Sequence, residues 1–338
     1  MAYPDSNHVI AAAESSAPLH TRRVKDVVLL GAQRFDSTLG AIVRGLDCDG
    51  PIALITAGWR DREDEDEALR THLACETVNL RLYHRTQDVF ARDVELAEAH
   101  RAMQIELRHK QDFYRIRLEH ELAANHVIRQ RQAPAKVLAE EEAASMGAIR
   151  LLDGYHLAHC MRVRAEFERQ VELETRPVVV EHRAQIAEAL AGCRGIAIAG
   201  GHVASMLNRM RLFGIDELLD GQAVFAWSGG AMAISERVVL FHDSPPQGRG
   251  AAEVLAYGLG LVSDLVVLPH PETRLRLDDP ERVSLLARRF SPARCLAFPA
   301  GAHLTVREDE EGAAQLQASG LTQLCEDGGC VGFEEVGA

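Results

Sequence analysis

The sequence predicts an α/β protein: a doubly wound, mostly parallel sheet interrupted by a long helical insertion. Two observations predict it. Short, continuous, β-branched apolar runs alternate with helical stretches in two parts of the chain, as buried parallel strands do. Between those parts, residues 88–175 change character, becoming rich in Arg, Glu, Gln, Ala and Leu, with glycine only at 147 and 154. The expected organisation is a flexible N-terminal tail at 1–25, an α/β domain from 26–87 and 176–338, and a helical insertion at 88–175.

Taken in order, the first strand-like runs are VVLLG, PIALITAG and VNLRLY, between Val27 and about Tyr83. Gly31, Gly50-Pro51 and Gly58 bound them as turn residues. In the helical region, Met103, Leu107, Tyr114, Leu118 and Leu122 fall on one helical face. Pro134 breaks the pattern, and a second helix is expected from about Ala135, with Gly147 and Gly154 as points of kinking or division. An antiparallel helical excursion follows. It serves either as an oligomerisation arm or lid, or as a layer packed on its own domain. From Val178 the strand rhythm resumes with RPVVVE, GIAIAGG, AVFAWSGG, RVVLFHD, DLVVLPH and CLAFPAG. In open α/β sheets, ligands bind outside the carboxyl ends of the strands. Gly200, Gly201, Ser228, Asp243 and His270 each follow a strand-like run, so one rim is expected to carry all of them.

Composition bounds the function. The chain has 338 residues, 47% hydrophobic and 26% charged, with a formal charge of −13. That charge argues against a nucleic-acid partner, because phosphate contacts need clustered Lys and Arg. No run of about 18 apolar residues exists, so no membrane span is expected. The first residues lack a basic segment followed by an apolar core, and seven scattered cysteines suit reduced thiols. A cytoplasmic location is the expectation. Cys325 and Cys330 could grip a metal but have no second pair at zinc spacing, and His202, His242, His270 and His303 could form a rim site but lack the i, i+4 spacing of a helix-borne zinc motif, so no metal or cofactor is expected. The acidic run Asp61 to Glu67 follows the second strand; it either attracts a cationic substrate or opens a solvated helix.

The chemistry centres on residues 223–240, AVFAWSGGAMAISERVVL. An apolar run ends at Ser228, then Gly229, Gly230 and Ala231 open a helical pattern. A nucleophilic serine needs such a turn, with small neighbours so that the backbone can fold sharply beneath its hydroxyl. The first helical amides then face the reacting carbonyl. Ala-Trp-Ser-Gly-Gly is close to G-x-S-x-G, though small residues around a serine also make ordinary turns. Serine needs a base oriented by a carboxylate. His270 closes the run DLVVLPH, and Asp243, after RVVLFH, is the expected orienter; Asp264 precedes its strand and belongs at the opposite end. Gly200 and Gly201 are candidate oxyanion donors, since glycine lets backbone approach a substrate. A strand-end histidine and a Gly-Gly pair have bland readings when taken singly, as a polar surface residue and a plain turn. Their succession after consecutive strands points to a site.

In these segments, GIAIAGGHVASMLNRM, AVFAWSGGAMAISERVVL and YGLGLVSDLVVLPH, the chain resembles the cyanophycinase and aspartyl-dipeptidase (peptidase E) family. That is a serine-nucleophile branch of the class I glutamine amidotransferase-like fold. The family's Gly-Gly turn matches Gly200 and Gly201, its elbow matches Ser228 to Ala231, and its GLGL segment leading to a strand-end histidine matches Gly258 to Leu261 and His270. Thr56 to Gly58 resemble its second-strand turn, and Arg274 and Arg276 the arginines after its histidine. The resemblance covers 178–306 well and 26–83 loosely. It implies a serine-type peptidase acting on a small peptide or isopeptide, with Ser228, His270 and Asp243 catalytic. It also implies that Gly200, Gly201, Gly229 and Arg274 line the oxyanion and substrate site. The chain departs from the pattern at Gly229, where alanine is usual, at His202, at the single first-strand Gly31, and through the helical region 88–175. The alternative is a non-catalytic member of the fold that binds a metabolite or partner. A homo-oligomer through the helical insertion is expected, because an uncovered face from Met103 to Leu122 would leave a large apolar patch. Coverage of that face by residues 135–175 of the same chain is the competing outcome.

Overall fold

A computed structural model describes residues 24–33, 37–46, 48, 50–241, 250–308 and 314–334. Its largest sheet has seven strands. They are β1 (Val24–Leu30), β2 (Ile52–Ile55), β3 (Thr77–Asn79), β4 (Gly195–Ile198), β5 (Gln222–Trp227), β10 (His303–Glu308) and β11 (Ala314–Ser319). Their order is β11-β10-β1-β5-β4-β2-β3. The five strands from β1 to β3 are parallel, and β10 and β11 form an antiparallel edge. Alternate side chains of the parallel strands enter two different cores. Val28, Leu30, Leu54, Ala197 and Phe225 pack under α1 (Leu39–Gly45) and α2 (Glu67–Leu73). Leu29, Ile55, Ile198, Val224 and Ala226 pack into the larger core on the other face. Both faces are therefore buried, and continuous apolar runs are what such strands require.

The RPVVVE segment is a correction. It is not a strand: Pro177–Ala191 is a helix, labelled α6 below, with proline in its first turn. Val178, Val179, His182, Ile186 and Leu190 are its buried residues, spaced for a helix. The missing N–H of proline costs nothing at that position, so the β-branched run continues as helix. VNLRLY likewise divides: only Thr77–Asn79 is strand, and α3 (Leu82–Arg92) begins within it.

The helical region holds α4 (Val94–Arg129) and α5 (Ala135–Val171), an antiparallel pair joined at Pro134. The Asp93 side chain caps α4 by accepting from the Leu96 amide at 2.9 Å. Gly147 and Gly154 leave α5 unbroken, and a Cβ at either would meet nothing within 4 Å. The apolar face of α4 is covered within the chain. Met103, Tyr114 and Leu118 are buried, and Leu107 and Leu122 pack against the same core. Tyr114 Oη donates to Asp153 Oδ1 at 2.7 Å. Arg289 of α11 (Pro280–Phe290) donates twice to that carboxylate, at 2.7 Å each, and once to Tyr114 Oη at 2.8 Å. A buried ion pair and its hydrogen bonds thus fasten the helical pair to the body, so the Met103–Leu122 stripe supplies no reason for a partner.

The remaining strands form separate sheets. β8 (Leu265–Pro269) and β9 (Arg294–Phe298) are parallel, and β12 (Leu321–Leu324) and β13 (Cys330–Phe333) extend them in the order β13-β12-β9-β8. β6 (Arg237–Leu240) and β7 (Glu253–Tyr257) make an antiparallel pair. His270 therefore does not share a sheet with Ser228, contrary to the single rim expected. Among the described residues, no helix is long and apolar enough to cross a membrane.

Candidate functional site

Three turns meet at the carboxyl edge of the large sheet. Ile55 pairs with Ile198, and Ile198 with Ala226, so the turns after β2, β4 and β5 lie side by side. They touch as backbone. The His202 amide donates to the Gly58 carbonyl at 2.9 Å. Gly201 has φ +120, and a Cβ there would lie 2.6 Å from the Gly58 carbonyl. A Cβ on Gly200 would lie 2.8 Å from Ser228 Cβ, and one on Gly229 would lie 2.7 Å from the Gly201 oxygen. Alanine at 229 would thus press on the neighbouring turn, which accounts for glycine there. A Cβ on Gly230 would run into the Ile198 carbonyl. These contacts require glycines.

Ser228 sits at the point of sharpest turn. Its φ of 50 and ψ of −123 lie outside the ordinary regions for a side-chain-bearing residue. It precedes α9 (Gly229–Ile234), yet its hydroxyl makes no capping bond to that helix. The hydroxyl instead meets His270 Nε2 at 2.7 Å.

His270 reaches this point through a chain of backbone contacts. The segment Gly258 to Leu261 lies along the end of α9. The Leu259 amide donates to the Ala233 carbonyl, and Leu261 to Ile234, both at 2.8 Å. A Cβ on Gly258 would collide with the Ser235 carbonyl, so the GLGL glycine permits this approach. β8 follows and delivers His270 at its carboxyl end. The residue adopts a left-handed conformation, φ 58 and ψ 49. It caps α10 (Pro271–Arg274), whose Thr273 and Arg274 amides donate to its carbonyl. Burial pushes the imidazole pKa below its ordinary value, and the Arg274 charge adds to this, with Glu272 opposing. Neutral histidine, the form that accepts a proton, is favoured.

The other expected site residues fall as follows. Gly200, Gly201 and Gly229 adjoin Ser228. Arg274 is one turn beyond His270, with its pKa lowered by burial. Among the described residues it makes no ion pair. Asp243 lies outside the described residues, as does His242. Asp264 stands at the opposite end of β8 from His270, beside Ser263, which donates to it at 3.1 Å. His202 caps α7 (Val203–Leu212), its Nδ1 accepting from the Ser205 amide at 3.1 Å.

The acidic run is largely consumed internally. Glu63 is fully buried and accepts from the Tyr83 and His84 amides at 3.0 Å, covering orphan donors at the start of α3. Asp64 pairs with Arg81, Glu65 with Arg62, and Asp66 with Arg70. Its role here is local structure. Sequence reasoning passed over Gly58 as part of the site's floor, although the TAG turn was a signal. It also passed over Arg60, which holds φ 61 and ψ −125 beside that floor and leaves no sequence trace. A cavity of about 310 Å³ lies between α4 and α11, lined by Leu122, Asn125, Arg129, Arg282 and Leu286 among others; Ser228, His270 and Arg274 are not part of its lining.

No protein-family model matches the chain. No curated protein sequence matches it. Among solved structures, it is similar to a peptidase from an acI-B1 Actinobacterium, at 12% identity and a TM-score of 0.45, over 91% of this chain and 97% of that one. So distant a likeness carries no argument about activity.

Proposed function

We propose that the chain is a serine-nucleophile hydrolase of the class I glutamine amidotransferase-like fold, resembling cyanophycinase and aspartyl dipeptidase, that cleaves a small peptide or isopeptide bond. The observation that carries this reading is the Ser228 Oγ to His270 Nε2 distance of 2.7 Å, made by a serine on a strained turn at a helix start. Strain of this kind costs on the order of 1–3 kcal/mol and persists where surrounding structure imposes it.

In this mechanism His270 Nε2 takes the hydroxyl proton as Oγ attacks the substrate carbonyl. The carbonyl oxygen gains negative charge. The first amides of α9, from Gly229 onward, have no intrahelical acceptor and face that charge, with Gly200 and Gly201 forming the opposite wall. The imidazolium then returns its proton to the leaving amine, and water releases the acyl group by the reverse path. Asp243 is the proposed orienter of the imidazole. Arg274, half-buried and free of carboxylates among the described residues, is the proposed anchor for a substrate carboxylate. The resemblance implies that this carboxylate belongs to aspartate, terminal or β-linked. A cytoplasmic setting suits the scattered cysteines.

The test is a fluorophosphonate probe with mass spectrometry of the labelled peptide. Labelling at Ser228, lost in Ser228→Ala and in His270→Ala, is the expected result. Absence of labelling in the wild-type protein, or labelling of another serine, sinks the reading.

A further inference from the structure

Arg211 stands in the last turn of α7, half-buried. Its Nη2 donates to the Tyr257 carbonyl at 2.6 Å and to the Gly258 carbonyl at 3.2 Å. Those carbonyls end β7 and open the segment Gly258 to Leu261, which leads into β8 and His270. A peptide unit is planar, so fixing its carbonyl aims its N–H the opposite way. The amide joined to the Tyr257 carbonyl is that of Gly258, which donates to the Glu236 carbonyl at 2.9 Å. The amide joined to the Gly258 carbonyl is that of Leu259, which donates to the Ala233 carbonyl of α9 at 2.8 Å. Each of the two peptide units is thus held at both ends, by Arg211 at its oxygen and by α9 or the residues just after it at its nitrogen.

The start of the same helix bears on the site as well. α7 follows directly on Gly200, Gly201 and His202, the turn packed against Gly58 and Ser228. Met206, Leu207, Met210 and Leu212 root the helix in the core. One short, anchored helix therefore carries the wall beside the serine at its start and the grip on the histidine-bearing segment near its end. Stability alone does not call for arginine here. Arg211 Nη1 is buried without a hydrogen-bond partner, and burial lowers the guanidinium pKa. Among the described residues Arg211 makes no ion pair, although Glu168 and Asp216 act on its charge from a distance. A buried charge so incompletely paired is a net cost to folding. We propose that Arg211 is a positioning residue for the Ser228–His270 pair: it fixes the peptide units of Tyr257 and Gly258, so that the segment entering β8 seats His270 at hydrogen-bond distance from the serine. The proposal rests on the hydrolase reading and needs no contact between Arg211 and substrate. Without the guanidinium both carbonyls lose their donor, the two peptide units are free to rotate, and their amides turn away from Glu236 and Ala233. A displacement of about 1 Å at reacting groups costs on the order of a hundredfold in rate.

Saturation kinetics of fluorophosphonate labelling at Ser228 test it. In that reaction Oγ attacks phosphorus, His270 takes the proton and fluoride leaves. The first-order step reports the serine–histidine alignment, and the half-saturating concentration reports probe binding. Arg211→Met is expected to slow the first-order step about tenfold or more, with half-saturation held within about threefold. Arg211→Lys keeps a cationic donor on a shorter arm and should label at least about threefold faster than the methionine variant. Arg176→Met is the control. That arginine donates to the Val171 carbonyl at 2.8 Å and pairs with Asp93 and Glu95, none of which belongs to the clip. It should lower Tm and leave the first-order step within about threefold. If Arg211→Met does not fold by circular dichroism, Gly258→Ala takes its place: its Cβ would meet the Ser235 carbonyl and displace the same peptide unit with Arg211 intact, slowing the same step as much. Wild-type labelling at Ser228 combined with a smaller slowing, a loss confined to half-saturation, a lysine variant no faster than methionine, or an equal loss in Arg176→Met overturns the proposal and leaves the hydrolase reading standing. Wild-type protein that does not label at Ser228 overturns both.

Discussion

Replacing Ser228 by glycine and by alanine isolates the strain in the turn. Both variants lose the 2.7 Å contact to His270, so that loss cancels in the comparison. They differ in what the backbone at φ 50 and ψ −123 costs. A residue with a Cβ pays on the order of 1–3 kcal/mol for so sparsely populated a conformation, and glycine pays almost none. Against this, glycine gains about 0.4–1 kcal/mol of unfolded-state freedom, which disfavours its folded form. The balance leaves Ser228→Gly more stable than Ser228→Ala by about 1 kcal/mol, the reverse of the order at an ordinary position. Urea unfolding of the two variants measures it. With an m-value of about 3 kcal/mol/M, the glycine midpoint should lie roughly 0.3 M higher. Neither variant should hydrolyse substrate. If alanine is the more stable by 0.5 kcal/mol or more, the ordinary order holds and the strained-elbow argument fails.

Two further outcomes follow from neighbouring groups. The acidic limb of kcat/KM should rise with pH through a midpoint below the ordinary histidine value of about 6.5, because burial and Arg274 both disfavour imidazolium at His270. In Arg274→Gln the burial remains and the charge is gone, so the midpoint should move up; a limb that stays put or moves down refutes the charge effect. Arg289→Met leaves the Asp153 carboxylate buried without its cation, which should cost about 3–5 kcal/mol in denaturant unfolding. Adding Asp153→Leu should recover much of that loss, and a single-variant cost under about 1 kcal/mol would falsify the fastening role of the pair.

What the sequence determined by itself was local. The strands β1, β2, β4, β5, β8 and β9 were legible because each is a short apolar run ending in a turn, and burial on both faces demands that composition. The Ser228 turn was legible because only small residues allow backbone to fold so sharply. RPVVVE was misread because three consecutive valines suit a strand, while Pro177 at a helix start leaves no periodic mark. Tertiary structure decided the relations between segments. His270 belongs to a different sheet from Ser228, and the two meet because Gly258 to Leu261 clip onto the end of α9, a contact no spacing encodes. Of the acidic run, Glu63 and Asp66 turned inward, Glu63 to serve the amides of another helix, while Asp64 and Glu65 pair with arginines at the surface. On α4 the sequence carries two apolar lines on opposite sides. Leu96, Met103, Leu107, Tyr114, Leu118 and Leu122 make one of them dense, whereas Val94, Ile105, Ile116 and Val127 recur only every eleventh residue, so periodicity marks the buried side and packing against Asp153, Arg289 and the core covers it. Periodicity states that a face exists; the free energy of covering it depends on what the rest of the chain brings there.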